Sequence, residues 1–250
     1  MRLINTVLTT YNKKGLRYLL HAGTRFLTLK FRAILEYILY YKFFNKSFYF
    51  CNNEYHYFIH PHNTTWRNER AVEIPIILGY LKSDKLQNKR VLEIGNVLSH
   101  YVATKHDILD KYEVQSGVIN QDIVDFNPIL KYDLILSIST LEHVGFDELP
   151  RDPNKIIYAL NNIQNLLSQG GQAIITLPMG YNEKMDKMIA ENKIQFNEKH
   201  VLKRISFIRW IEIGWDEINE IKYGKPFPNA NALIIGIINK RTNIKIVLYE

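Results

Sequence analysis

The chain has 250 residues, 46% of them hydrophobic, a single cysteine and a formal net charge of +7. That apolar fraction excludes a disordered or collagen-like chain, and the length fits one large domain or a domain with an appendage. The lone Cys51 excludes an internal disulfide framework and any multi-cysteine metal site, and it makes a reducing, cytoplasmic setting the default expectation.

The positive charge is clustered at the start. Residues 1–50 carry nine basic side chains and one acid, a net +8, whereas the other 200 carry 23 basic and 24 acidic ones, a net −1. Within the basic segment, Leu16, Leu19, Leu20, Gly23, Leu27, Phe31, Ile34, Leu35 and Ile38 recur in steps of three and four, the period of an amphipathic helix. Lys14, Arg17, His21, Arg25, Arg32 and Glu36 fall on the other face. Charges interrupt every apolar run, so neither a membrane span nor a secretory leader is expected. Residues 1–47 therefore read as a basic helical extension. Through residues 13–46 it either packs on a protein partner or the main domain, or lies peripherally on an anionic membrane with Phe26, Tyr37, Tyr40, Tyr41, Phe43 and Phe44 near the interface.

Residues 48–69 read as an aromatic hairpin and loop, with Asn52-Asn53 as the turn pair. His56, His60 and His62 are joined at ligand spacing by Glu54 alone, too few groups for a metal centre. Thr65 stands where it could cap a helix carrying Glu69 and Glu73, and Trp66, Arg67, Asn68 and Arg70 make the first polar cluster of functional appearance.

From residue 70 to 250 the pattern is that of one α/β domain. Strands are expected at Arg90–Gly95, His106–Asp110, Gly117–Asp122, Tyr132–Ser137 and Gln172–Pro178. A helix with Ile156, Leu160, Ile163 and Leu167 on one face precedes the last of these and is ended by Gly170-Gly171. Strands apolar on both faces, alternating with helices, indicate a doubly wound, mostly parallel sheet. Arg209–Ile213 and Leu233–Ile238 read as a final strand pair. In such sheets ligands bind at the carboxyl ends of the strands, here marked by Gly95, Asp110, Asp122 and Ser137 to Thr140.

The run Val91-Leu92-Glu93-Ile94-Gly95, the acids Asp110 and Asp122, the stretch from Tyr132 to Val144, and Leu166 to Gly171 leading to Leu177-Pro178 together resemble the class I S-adenosylmethionine-dependent methyltransferases. Leu141-Glu142-His143-Val144 is similar to the segment after the fourth strand of small-molecule O-methyltransferases in that superfamily. The resemblance spans about residues 70–238. It implies a seven-stranded Rossmann-like sheet, S-adenosylmethionine as cofactor, and a small or lipid-linked acceptor methylated at a hydroxyl. Carried over residue by residue, it puts Glu93, Gly95, Asn96, Asp110, Asp122, Ile123 and Ser137 at the cofactor. Asp110 would meet the ribose hydroxyls, Asp122 the adenine amino group, and Ile123 the ring. His143 becomes the candidate general base, since an imidazole titrates near neutrality. Arg67, Glu142 and Tyr181 are candidates for substrate or lid contacts. No metal is expected beside His143, because Ser139 stands where a further carboxylate would be needed.

The chain departs from the family at Val97 and Ser99, which occupy the places of the second and third glycines of Glu-x-Gly-x-Gly-x-Gly. Either the loop takes a different path or the site has degenerated, which leaves a non-catalytic binding module as the alternative. Nucleic acid is not expected as a partner, because the fourth strand ends in Ser-Ile-Ser-Thr rather than the Asn/Asp-Pro-Pro-aromatic tetrapeptide of base-amino methylating enzymes.

Overall fold

The computed structural model describes residues 2–43, 47–82, 89–218 and 221–240. Its centre is an eight-stranded sheet. Strands β3 (Val91–Ile94), β4 (Asp107–Leu109), β5 (Val118–Ile119), β6 (Tyr132–Ile138) and β7 (Leu167–Pro178) run parallel to their neighbours in the order β5-β4-β3-β6-β7. Beyond β7 the sheet turns antiparallel through β10 (Ala232–Asn239), β8 (Glu198–Arg204) and β9 (Trp210–Ile213). The doubly wound α/β expectation holds, with eight strands in place of seven.

Two clusters of side chains sandwich this sheet. On one face, helices α3 (Lys155–Leu166) and α4 (Glu183–Ala190) pack against it, with Ile156, Leu160, Ile163 and Leu166 of α3 buried at helical spacing. On the other, helix α2 (Arg70–Leu81) and the hairpin β1 (Ser47–Phe50) and β2 (Asn53–His56) cover β6 and β10 through Phe48, Phe50, Val72, Ile74 and Ile77. Pro75 lies inside α2 and removes the donor that the Ala71 carbonyl would meet in a regular helix. That carbonyl accepts from Phe58 N instead, at 2.9 Å, which ties the chain after the hairpin to the helix.

Four local expectations are corrected. The hairpin turns at Cys51-Asn52, one residue earlier than Asn52-Asn53, with φ of 49° and 61°. Two positive φ values give the turn whose twist suits a two-residue hairpin, and the pairing puts both Phe48 and Phe50 in the core. Thr65 caps no helix. It sits in a 3-10 turn, where its hydroxyl donates to Phe58 O and accepts from His60 N. Gly170-Gly171 lie inside β7, which starts at Leu167 because the backbone there already pairs with Tyr132. Finally, β9 and β10 are not partners, since β8 runs between them.

Helix α1 spans Arg2–Phe43 and is broken at Gly15, whose φ of 76° and ψ of 170° are non-helical. Its far end meets the domain at the His62–Arg67 turn. There Glu36 accepts from Arg67 Nε at 2.8 Å, and the Tyr37 and Trp66 rings lie 5.6 Å apart. Upstream of that contact Leu16, Leu20, Leu27, Phe31 and Ile34 are all exposed. The side chains of Lys14, Leu19, Tyr40, Tyr41, Phe43 and Phe44, named in the sequence expectation, lie outside the described residues. Among the described residues no helix is long and apolar enough to cross a membrane.

Candidate active site

The parallel half of the sheet ends in a cleft of about 410 Å³ at the carboxyl termini of β3, β4 and β6, a volume in the range of small-ligand sites. Gly95, Asn96, Asp110, Asp122, Ile123 and His143 all line it, so six of the sequence candidates converge. Val97, Lys111, Ser139, Thr140, Asp147 and Glu148 share the wall.

Gly95 follows β3 with a φ of +85°, and a Cβ there would stand 2.2 Å from Thr140 Oγ1. Only glycine allows both the conformation and this approach of the two strand ends. Beyond it the chain takes a path that needs no further glycine. Val97 has a φ of −107°, and the N–H groups of Val97 and Leu98 donate to Glu93 Oε1 at 2.9 and 2.7 Å. The loop closes in a single 3-10 turn, Leu98–His100, in which neither Val97 nor Ser99 takes a positive φ. Glu93 is fully buried and also meets His106 Nε2 at 2.7 Å, so it steadies this loop from behind the cleft wall. Ser137 is likewise buried within β6 and does not line the cleft.

Asp110 sits one residue past β4. Its carboxylate accepts from the backbone N–H groups of Asn96, Tyr112 and Glu113 at 3.1, 2.8 and 2.8 Å. It therefore joins the turns after β3 and β4. Asn96 is buried at the wall, and its Nδ2 has no hydrogen-bond partner among the described residues, an unmet donor beside the cleft.

Asp122 is held in a knot of four charges. Lys111 Nζ lies 2.9 Å from Asp122 and 2.8 Å from Glu148, and Lys155 Nζ donates to Asp122 at 2.7 Å and also to Glu148. Burial pushes both carboxyls up, but the two lysines outweigh it and hold both below their ordinary values.

The opposite rim carries an imidazole. The turn after β6 begins at Ser139, with φ of 39°, and runs through a 3-10 turn at Leu141–His143. His143 Nδ1 meets the Asp147 carboxylate, which also accepts from the Tyr181 hydroxyl at 2.7 Å. The Tyr181 and His143 rings stand edge to face, 4.8 Å between centroids. Burial raises Asp147, but the hydrogen bonds from His143 and Tyr181 outweigh it and lower its pKa, whereas burial and the Asp147 charge raise that of Tyr181. Tyr181 thus supports the imidazole from the rim.

Behind this rim lies a buried polar cluster that the sequence reading missed. Glu73 is fully buried in α2, and its Oε1 accepts from the Ser139 and Thr176 hydroxyls while Oε2 pairs with Arg70. The signal for it was a lone carboxylate in the run Val72-Glu73-Ile74-Pro75-Ile76-Ile77. Glu142, a sequence candidate, does not line the cleft itself, but its Oε1 lies 3.6 Å from Nε2 of His143, which does. Glu142 is buried, Oε2 has no hydrogen-bond partner, and burial, with Glu73 nearby, pushes its pKa well above the carboxylate range. Arg67, the candidate for a substrate or lid contact, lies in a separate cleft of about 620 Å³ with Arg32, Glu36 and Asn68, because Glu36 of α1 draws its guanidinium there.

No protein-family model matches the chain, and no curated protein matches it. Several solved structures do. The N-methyltransferase NodS from Bradyrhizobium japonicum WM9, in complex with S-adenosyl-L-homocysteine, is 13% identical over 60% of this chain and 77% of its own, with a TM-score of 0.39. An S-adenosylmethionine-dependent methyltransferase from Clostridium acetobutylicum is 12% identical over 65% and 88%, with a TM-score of 0.36. Magnesium protoporphyrin IX methyltransferase from Synechocystis, with bound S-adenosylmethionine, is 10% identical over 65% and 76%, with a TM-score of 0.36.

Proposed function

We propose that this chain is an S-adenosylmethionine-dependent methyltransferase acting at a hydroxyl of a small or lipid-linked acceptor. The observation that carries the reading is one cleft holding Asp110 on one wall and His143 on the other, with the imidazole already oriented by a carboxylate. The residues present fit such a cofactor. Asn96 Nδ2 is an unmet buried donor suited to an oxygen of the ligand. Asp110 has used three of roughly four carboxylate lone-pair positions, which leaves one for a ribose hydroxyl. Ile123 offers an apolar surface for the base. When bound, the cofactor supplies an electrophilic methyl group. Asp147 on Nδ1 fixes the imidazole tautomer and leaves Nε2 of His143, 3.6 Å from the buried Glu142 carboxylate, to accept the acceptor's hydroxyl proton. Calorimetry of the full chain with S-adenosylmethionine tests this, with saturable binding expected. No heat at millimolar cofactor would remove the reading.

One observation favours the second reading, a non-catalytic binding module. Asp122, the expected acceptor for the adenine amino group, is already engaged by Lys111 and Lys155. Cofactor binding to wild type with no turnover over a broad panel of hydroxyl acceptors would select that reading.

The same proposal assigns α1 to attachment on an anionic membrane. Support comes from exposed Leu16, Leu20, Leu27 and Phe31 interleaved with exposed Arg17, Arg25 and Arg32. Flotation with phosphatidylserine vesicles should be lost on deletion of residues 1–46, and equal flotation of both forms counts against attachment.

A further inference from the structure

We propose that Cys51, His200 and Glu212 form a site for a divalent cation of the zinc class, which clips the β1–β2 hairpin to the far edge of the main sheet. The three residues come from three elements. Cys51 is in the hairpin turn, His200 on β8 and Glu212 on β9. Leu202 pairs with Glu212 across these strands, so His200, two residues back on the same face, lies diagonal to Glu212. The hairpin brings Cys51 onto that pair.

The three donors are gathered within reach of one ion, which the imidazole would meet after a small turn of its ring, since Sγ stands nearly equidistant from both ring nitrogens. Cys51 Sγ lies 3.5 Å from His200 Nδ1 and 3.6 Å from Nε2, and Nδ1 lies 3.0 Å from Glu212 Oε1. One donor atom from each residue falls within 4.8 Å of the others. Zinc bonded tetrahedrally to sulfur, nitrogen and oxygen at its usual bond lengths separates sulfur from nitrogen by about 3.5 Å and nitrogen from oxygen by about 3.3 Å. The set is also held in place. Glu212 Oε2 accepts from Cys51 N at 2.8 Å, and the buried Phe50 ring stands edge to face on His200 at 5.3 Å. Glu198 Oε2 lies 3.9 Å from His200 Nε2, an ion-pair distance too long for a hydrogen bond. The donor types, one thiol, one imidazole and one carboxylate, suit zinc rather than magnesium or calcium. On binding, sulfur gives its proton to solvent as the metal–sulfur bond forms.

Cys51 also sits in a left-handed conformation that favours asparagine or glycine, so the turn itself gives no reason for a cysteine there. The histidines grouped in sequence are engaged with aromatic rings instead: His60 stacks on Phe58, His62 stacks on His100, and both meet Tyr101 edge to face.

The test uses the full reduced chain and Zn²⁺ alone. Calorimetry should give one ion per chain with micromolar or tighter affinity. Cys51→Ser and His200→Gln should each weaken it by at least about 100-fold. The Co²⁺ complex of the wild type should show a near-ultraviolet sulfur-to-cobalt charge-transfer band, absent in Cys51→Ser. No saturable binding, equal affinity in wild type and Cys51→Ser, or a cobalt complex without the band would each overturn the site. Where a variant fails to fold by circular dichroism, the wild-type cobalt spectrum decides alone.

Discussion

Glu73 Oε1 accepts a hydrogen bond from the hydroxyl of Thr176, 2.7 Å away and 103 residues further along the chain. With Ser139 on the same oxygen and Arg70 on the other, one carboxylate fixes α2 to the ends of β6 and β7, directly beneath the cleft. Burial opposes the Arg70 charge, but Glu73 and Glu69 outweigh it and raise its pKa. Glu73→Ala leaves that guanidinium buried without its partner, along with two unmet hydroxyls. The expected cost is about 3–5 kcal/mol, read from urea denaturation. A loss below about 1 kcal/mol would show that the cluster is hydrated and structurally idle.

Gly95 makes a steric prediction with two parts. Gly95→Ala imposes a Cβ on a φ of +85° and on Thr140 Oγ1 at 2.2 Å. The variant should lose more than about 1 kcal/mol. Removing the threonine side chain in Gly95→Ala/Thr140→Ala should recover part of this, since the clash goes but the strained φ stays. Full recovery, measured by thermal melting, would mean that the backbone conformation is not the constraint.

Asp186 gives a pH dependence whose sign can be worked out. It lies in the first turn of α4, and burial together with Glu183 raises its pKa to about 6 from an ordinary 3.8, against the Gly180 N–H that it accepts at 2.7 Å. A carboxyl raised in the folded state binds more protons folded than unfolded. Its contribution is therefore fully present below about pH 4 and is lost as pH rises through about 6. The difference corresponds to about 3 kcal/mol. Asp186→Asn keeps an acceptor for Gly180 and removes the titration. It should flatten stability between pH 4 and 6 and stabilise the chain at pH 7. An unchanged slope in urea melts across that range would refute the assignment.

The parallel strands were legible because runs such as Leu134-Ile135-Leu136 are apolar on both faces, which only a covered sheet requires. Strand β8 was not, because Glu198-Lys199-His200-Val201-Leu202-Lys203-Arg204 carries four charged side chains and a histidine. Its pairing with β10 and β9 alone makes it a strand. The cleft was legible at Gly95, Asp110, Asp122, Ile123 and His143, since strand ends mark it along the chain. Long-range partners were not. Glu73 with Thr176, and Cys51 with His200, meet only through the fold, and no local period encodes such meetings. Arg67 was read by its type, but a guanidinium goes to the nearest carboxylate, and Glu36 is supplied by α1.

That contact yields the last prediction. Arg67 and Glu36 are both partly exposed, and such pairs contribute about 0–1 kcal/mol. Arg67→Ala should therefore melt like the wild type. It should also leave affinity for S-adenosylmethionine within about twofold, because Arg67 lines the second cleft and not the one that holds Asp110. Its effect should appear in α1, which loses one of its described contacts with the domain, another being Tyr37 on Trp66. Limited proteolysis should cut between residues 16 and 39 faster in Arg67→Ala than in wild type, and faster still in Arg67→Ala/Trp66→Leu. A tenfold loss of cofactor affinity in Arg67→Ala with unchanged proteolysis would reverse the assignment and return Arg67 to the active site.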